Sequence, residues 1–180
     1  MSGIDFFKRL LRSHAAENTQ NRRLVQAASG MRSLVVDDSP TIRAVLGKML
    51  GQEAYAVQKA ADGESALELA RAEQPELIFL DIVLPGINGF EVLRALRHDP
   101  LTRHIPIVMI SGNQQATEQF YVQRFGADDF IKKPFGQHQV QLAIDQLVRA
   151  GRLPARAPVP AITTVTPYEE LRSLLSGMAA

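Results

Sequence analysis

The chain of 180 residues contains no cysteine, so neither a disulfide framework nor a thiolate metal site is open to it. It also has no apolar run approaching the roughly 18 residues that a membrane-spanning helix needs. No secretory h-region is expected over the first residues, because Lys8, Arg9 and Arg12 interrupt the apolar residues there. The expectation is a soluble protein of the cytoplasm. Net charge is only +1, which gives no general argument for nucleic-acid binding.

The distribution of charge says more than the total. Residues 1–28 carry five basic and two acidic residues, residues 29–149 twelve basic and fifteen acidic, and residues 150–180 three basic and two acidic. The acidic excess lies in the middle segment, where it would suit a divalent cation.

What is present begins with an amphipathic stretch. Ile4, Phe6, Phe7, Leu10 and Leu11 recur at helical spacing. Residues 1–30 therefore read as a helical arm that packs on its own domain or on a partner. A basic helix lying on a membrane surface is the weaker alternative.

From residue 31 the pattern changes to short apolar strands alternating with amphipathic helices. Leu77-Ile78-Phe79-Leu80 is an unbroken apolar run that ends in Asp81 and turns at Pro85-Gly86; such a run reads as a strand buried on both faces. Strands are also predicted at 33–36, 55–58, 106–110 and 129–131. Helices are predicted from Pro40 (capped by Ser39) to about Gly51, then from Ser65, over 88–98, over 114–125 and over 136–149. Asp62-Gly63 reads as a turn. The alternation predicts parallel βαβ units, hence a doubly wound five-stranded parallel α/β sheet over 31–149. Residues 150–166, rich in proline and alanine, read as a linker. Residues 167–180 read as a short helix with Leu171, Leu174 and Leu175 on one side.

In a parallel sheet the C-terminal strand ends share one edge. That edge would collect Asp37 and Asp38, then Asp81, Ser111 and Lys133. Each has an ordinary explanation alone: helix cap, strand terminator, turn serine, surface lysine. Together they have a chemistry. Clustered carboxylates repel unless a cation offsets them, and Mg²⁺ takes oxygen ligands, usually one or two carboxylates with waters and phosphate oxygens. A carboxylate can attack phosphorus to give an acyl phosphate. A lysine and a hydroxyl can meet the charge that spreads over the phosphoryl oxygens.

The motifs LVVDDSPTIR, LIFLDIVLPGINGFE, IPIVMISG and DDFIKKPF, in that order and spacing, resemble those of the receiver domain of two-component response regulators. The resemblance covers residues 33–149 and implies the flavodoxin-like receiver fold. It implies that Asp81 is the phospho-acceptor, taking its phosphoryl group from a histidine kinase or a histidine phosphotransfer protein. Asp37, Asp38, Asp81 and the backbone carbonyl of Val83 would hold Mg²⁺. Lys133, before a cis bond to Pro134, would contact the phosphoryl group, while Lys132 points away. Ser111 and Phe130 would be the switch residues. Val83 and Asn113 stand at positions that influence phosphoryl lifetime, and Pro85 and Gly89 match the loop pattern after the aspartate.

No output domain is visible in the tail, so the resemblance is to stand-alone regulators of the chemotaxis type, with wording close to regulators of pilus twitching. Output would be binding to a downstream protein through the face formed by helix 114–125, strand 129–131 and helix 136–149, with Phe120 and Tyr121 as contact candidates. At least one extension is expected to serve partner binding or self-association. No enzyme activity beyond self-phosphorylation and autodephosphorylation is expected. A receiver serving as phosphate sink or scaffold is the alternative. An aspartate-nucleophile phosphatase fits less well, because Ile82-Val83 after Asp81 breaks the usual Asp-x-Asp pair. A nucleotide binder of the same topology would need a Gly-rich phosphate loop where DDSPTI stands.

Overall fold

A computed structural model describes residues 24–112 and 125–157. Alternate residues of a strand project to opposite faces, and that rule builds the molecule. In β1 (Arg32–Val36), β3 (Leu77–Asp81) and β4 (Ile107–Ser111), Val35, Leu77, Phe79, Val108 and Ile110 point to one side. Leu34, Val36, Ile78, Leu80, Ile107 and Met109 point to the other. Helices α1 (Pro40–Gln52) and α4 (Gln137–Arg149) cover the first side with Leu46, Leu50, Val140, Ile144 and Leu147. Helices α2 (Gly63–Glu73) and α3 (Gly89–His98) cover the second with Ala66, Ala70, Val92, Leu93 and Leu96. With β2 (Ala56–Ala60) and β5 (Asp129–Lys132) at its edges, the sheet runs β2-β1-β3-β4-β5, every pair parallel. It is the doubly wound α/β sheet that the alternation predicts.

From β1 the chain crosses to β2 on one side and then returns past β1 to β3 on the other. The strand order reverses between β1 and β3, and a crevice opens at the carboxyl ends of two such strands. Asp37 and Asp81 stand there.

Local differences from the sequence reading have local causes. Asp62-Gly63 is no free turn: Asp62 caps α2 by accepting from Ser65 N at 2.8 Å, and Gly63 is the first helical residue. Gly63 must be small, since a Cβ there would come within 2.5 Å of Ile87 Cγ1 and 2.6 Å of Val92 Cγ2. Helix α1 runs past Gly51 to Gln52, and the left-handed residue that follows it is Ala54 at φ 64°. Val45, spaced with the buried Leu46 and Leu50 along α1, is nonetheless 41% exposed.

The packed body also extends beyond residues 31–149. Ala27 is fully buried and bridges Ala155 in antiparallel fashion, and Ala28 N donates to Pro154 O at 2.9 Å. Arg156 N donates to Gln26 O at 2.8 Å, and the Arg156 guanidinium reaches the carbonyls of Ala27 and Glu53. Val25 N donates at 2.7 Å to Asp145, a buried carboxylate paired with Arg149. Residues 24–30, read as arm, and 150–157, read as linker, thus form a strap across the end of the sheet away from Asp81. The rest of the expected arm, the C-terminal helix and the helix 114–125 (with Asn113, Phe120 and Tyr121) lie outside the described residues, apart from Phe125. That side chain is exposed, its ring 5.8 Å from Phe90.

Candidate functional site

Asp37 follows β1 directly and is fully buried, and Asp81 closes β3 at 3% exposure. Lys133 comes to both from the loop after β5. Its Nζ lies 2.7 Å from Asp37 Oδ2 and 2.6 Å from Asp81 Oδ2. Two further bonds hold the carboxylates: Ser39 N donates to Asp37 Oδ1 at 2.9 Å, and Val83 N to Asp81 Oδ1 at 3.3 Å. Asp38, next to Asp37, is exposed, yet one oxygen from each of the three aspartates lies within 4.8 Å of the others.

Lys133 owes its position to the β4–β5 ladder. Its N–H donates to Ser111 O at 2.7 Å, and the Lys133–Pro134 bond is cis. Lys132, opposite Ser111 in the register, is exposed. Ser111 ends β4 fully buried, one residue beyond the Ile110 that faces Asp81 across the sheet. Phe130 is half-buried in β5 and packs against the core on the α2–α3 side, and Val83 is 66% exposed beside the carboxylates.

Two positioning residues were not assigned a role by sequence reasoning. Arg43 donates from one guanidinium nitrogen to the carbonyls of Asp37 (2.6 Å) and Asp38 (2.9 Å), fixing the acidic turn from the first turns of α1. Helical spacing put it on α1, but nothing in that spacing says that it folds back. Gly89, noted only as part of a motif, packs against the backbone of Asp81. A Cβ there would fall 2.1 Å from Asp81 O, and Gly89 N donates to Ile82 O at 2.9 Å. The start of α3 is therefore a wall behind the central carboxylate. Gly89→Ala is expected to cost about 3 kcal/mol, the upper range for overpacking a filled site, and to weaken cation binding by moving Asp81. Urea unfolding and a Mg²⁺ titration check it, and a variant matching wild type in both would refute the wall.

Electrostatics sharpen the picture. Burial lifts the Asp81 carboxyl above its usual range; Lys133 opposes the rise and the neighbouring Asp37 adds to it. For Lys133, burial pulls down, but the bonds to Asp37 and Asp81 outweigh it and leave the ammonium above the ordinary lysine range. One ammonium faces two buried carboxylates and a third at the rim, so the pocket stays negative. Its free capacity is all carboxylate and carbonyl oxygen, the donor set of a hard divalent cation such as Mg²⁺.

Comparison with known proteins gives concordant findings. A family model described as the response regulator receiver domain matches residues 33–145. The protein PilH of Pseudomonas aeruginosa is 37% identical over 117 residues, 65% of this chain and 97% of PilH. The chain spans only 26% to 58% of the length of several other curated relatives. Among solved structures, the chemotaxis response regulator CheY4 of Vibrio cholerae superimposes with a TM-score of 0.60 at 29% identity, covering 67% of this chain and 98% of CheY4. The receiver domain of the sensor histidine kinase PA1611 of Pseudomonas aeruginosa gives 0.62 at 26% identity, covering 67% and 99%, and was solved with a magnesium ion coordinated in its active site cleft.

Proposed function

The chain belongs to the response regulator receiver family of two-component signalling, and on that premise we propose that Asp81 is its phospho-acceptor. The observation that carries the proposal is the convergence of Lys133 Nζ on both Asp37 and Asp81 at the edge where the strand order reverses. A histidine kinase or a phosphotransfer protein would supply the phosphoryl group. One Asp81 carboxylate oxygen forms the new bond to phosphorus, the phosphorus–nitrogen bond of the donor phosphohistidine breaks, and its electron pair stays with the imidazole. The product is an acyl phosphate.

The residues present suit Mg²⁺, with Asp37, Asp38, Asp81 and the Val83 carbonyl as its holders. Bound there, it would offset charge on the phosphoryl oxygens. Lys133 is close enough to turn from the carboxylates to the phosphoryl group. Ser111, buried at the end of β4, and Phe130, on the adjacent strand, are the residues through which the change would spread toward β5 and α4. Phe130 has no hydroxyl, so its inward position would rest on packing alone. An apolar Val83 at the mouth offers no polar group to an attacking water, which favours storing a signal over clearing substrate. Output is then binding to a downstream protein in a chemosensory or pilus-motility pathway, a placement that the likeness to PilH and CheY4 supports.

Calorimetric titration with Mg²⁺ tests the site. Wild type is expected to bind one ion, and Asp37→Asn and Asp38→Asn each to bind at least tenfold more weakly. Because the Asp81 carboxyl is held high, protons compete from a higher pH than at a free carboxylate, so affinity falls as the solution is acidified toward that range. Unchanged affinity in both variants would remove the cation from the account.

A further inference from the structure

At the end of the sheet away from Asp81 lies a cavity of about 300 Å³, at the lower end of the volumes that ligands fill. Tyr55 and Ile144, both buried, form its floor. Half-buried Leu24 and Val25 form a wall. Glu53 and Gln141 stand at the rim, and Glu53 is the one charged residue of the lining among the described residues. The rim is built rather than incidental: the Glu53 carboxylate accepts from Gln26 Nε2 at 2.9 Å and from Gln141 Nε2 at 2.7 Å. A carboxylate has about four lone-pair sites, so two bonds leave room for a cationic donor.

The chain itself supplies a matching segment. The described structure begins at Leu24, which is part of the groove wall. Residues 13–23 before it are mostly polar, and residues 4–12 hold the apolar stripe Ile4, Phe6, Phe7, Leu10 and Leu11 interleaved with Lys8, Arg9 and Arg12. Eleven residues reach up to roughly 35 Å when extended, ample for the stripe to double back over the wall. We propose that residues 4–12 of the same chain seat their Phe6–Leu11 stripe in this groove, with a basic side chain at Glu53. The occupant brings apolar bulk over Tyr55 and Ile144 and a positive charge to the Glu53 carboxylate, beside the Arg156 guanidinium that already holds the Glu53 carbonyl and Gln26 Oε1. The groove lies at the opposite end of the sheet from Asp81, so the proposal is independent of the phosphoryl reading.

The absence of native cysteine makes the test clean. In the full chain, Phe7→Cys with Gln141→Cys is expected to form an intramolecular disulfide in most molecules on mild oxidation. Phe7→Cys with Leu101→Cys, whose second partner is exposed beyond α3 on the other face, is expected to form almost none. Disulfides found only between chains would give the groove to a second copy, and equal cross-linking in the two pairs would leave it without this occupant; either overturns the proposal. A second measurement avoids the groove residues altogether. Phe6→Glu with Phe7→Glu is expected to speed amide exchange at Val25, Gln26 and Tyr55 at least tenfold while leaving Mg²⁺ affinity unchanged. Unaltered exchange at those amides would equally overturn it.

Discussion

Asp81→Asn is expected to take up no phosphoryl group from acetyl phosphate and Mg²⁺ under conditions that label wild type. The amide keeps the shape of the side chain and can still face Lys133, but it lacks the anionic oxygen that forms the bond to phosphorus. The folded domain should survive the change. Burial disfavours the charge at Asp81, and Lys133 retains Asp37 at 2.7 Å as a partner, so no buried ion is stranded. Unfolding in urea is expected to be no easier than in wild type. Loss of label with an intact unfolding transition separates a chemical role from a structural one. Label equal to wild type would move the acceptor elsewhere.

Lys133→Ala is expected to have the opposite character, a large loss of stability that a cation restores. Both carboxylates that Lys133 serves are almost fully buried, and its own side chain is 22% exposed. Removing one partner of a buried ionic cluster typically costs 3–5 kcal/mol; with some water reaching the lysine, about 3 kcal/mol is expected in the presence of EDTA. Saturating Mg²⁺ should return most of it, since ligand at a hundred times its dissociation constant stabilises by about 2.7 kcal/mol. Wild type should gain less from Mg²⁺, because there the ammonium already offsets part of the charge.

The pH dependence of that difference has a definite sign. Lys133 is held above its ordinary range by the two aspartates. Its contribution is therefore complete below the unfolded lysine pKa and is lost as pH rises through the elevated one. Wild type and variant should converge only at strongly alkaline pH. Urea midpoints with EDTA and with Mg²⁺, at neutral and alkaline pH, measure this. Equal midpoints at neutral pH in EDTA would mean that the carboxylates do not depend on the lysine.

The sheet was readable in the sequence for a physical reason. A strand buried on both faces must be apolar at consecutive positions, and Leu77 to Leu80 are, while helices such as α3 show their buried side at helical spacing. Parallel strands then place Asp37, Asp81, Ser111 and Lys133 at one edge without any knowledge of contacts. The features that periodicity did not reveal are single, long-range bonds. Nothing in a pattern of neighbours says that Asp145 accepts from Val25, 120 residues earlier, or that Arg156 reaches the carbonyls of Ala27 and Glu53. Residues 150–157 resembled a linker by composition, yet the buried Leu153, the ion pair of Arg152 with Asp128, the bonds of Arg156 and the Ala27–Ala155 bridge tie them down. Likewise the sharing of one lysine by two carboxylates joins residues 96 and 52 positions apart in the chain, which no helical or strand spacing encodes.

The most direct measurement is chemical. Borohydride reduces an aspartyl phosphate to homoserine, which marks the acceptor in the peptide chain. Wild type phosphorylated in Mg²⁺, reduced and digested should show homoserine at position 81 by mass spectrometry and at no other aspartate. Homoserine at Asp37 or Asp38, or at none of the three in a protein that carries label, would contradict the account.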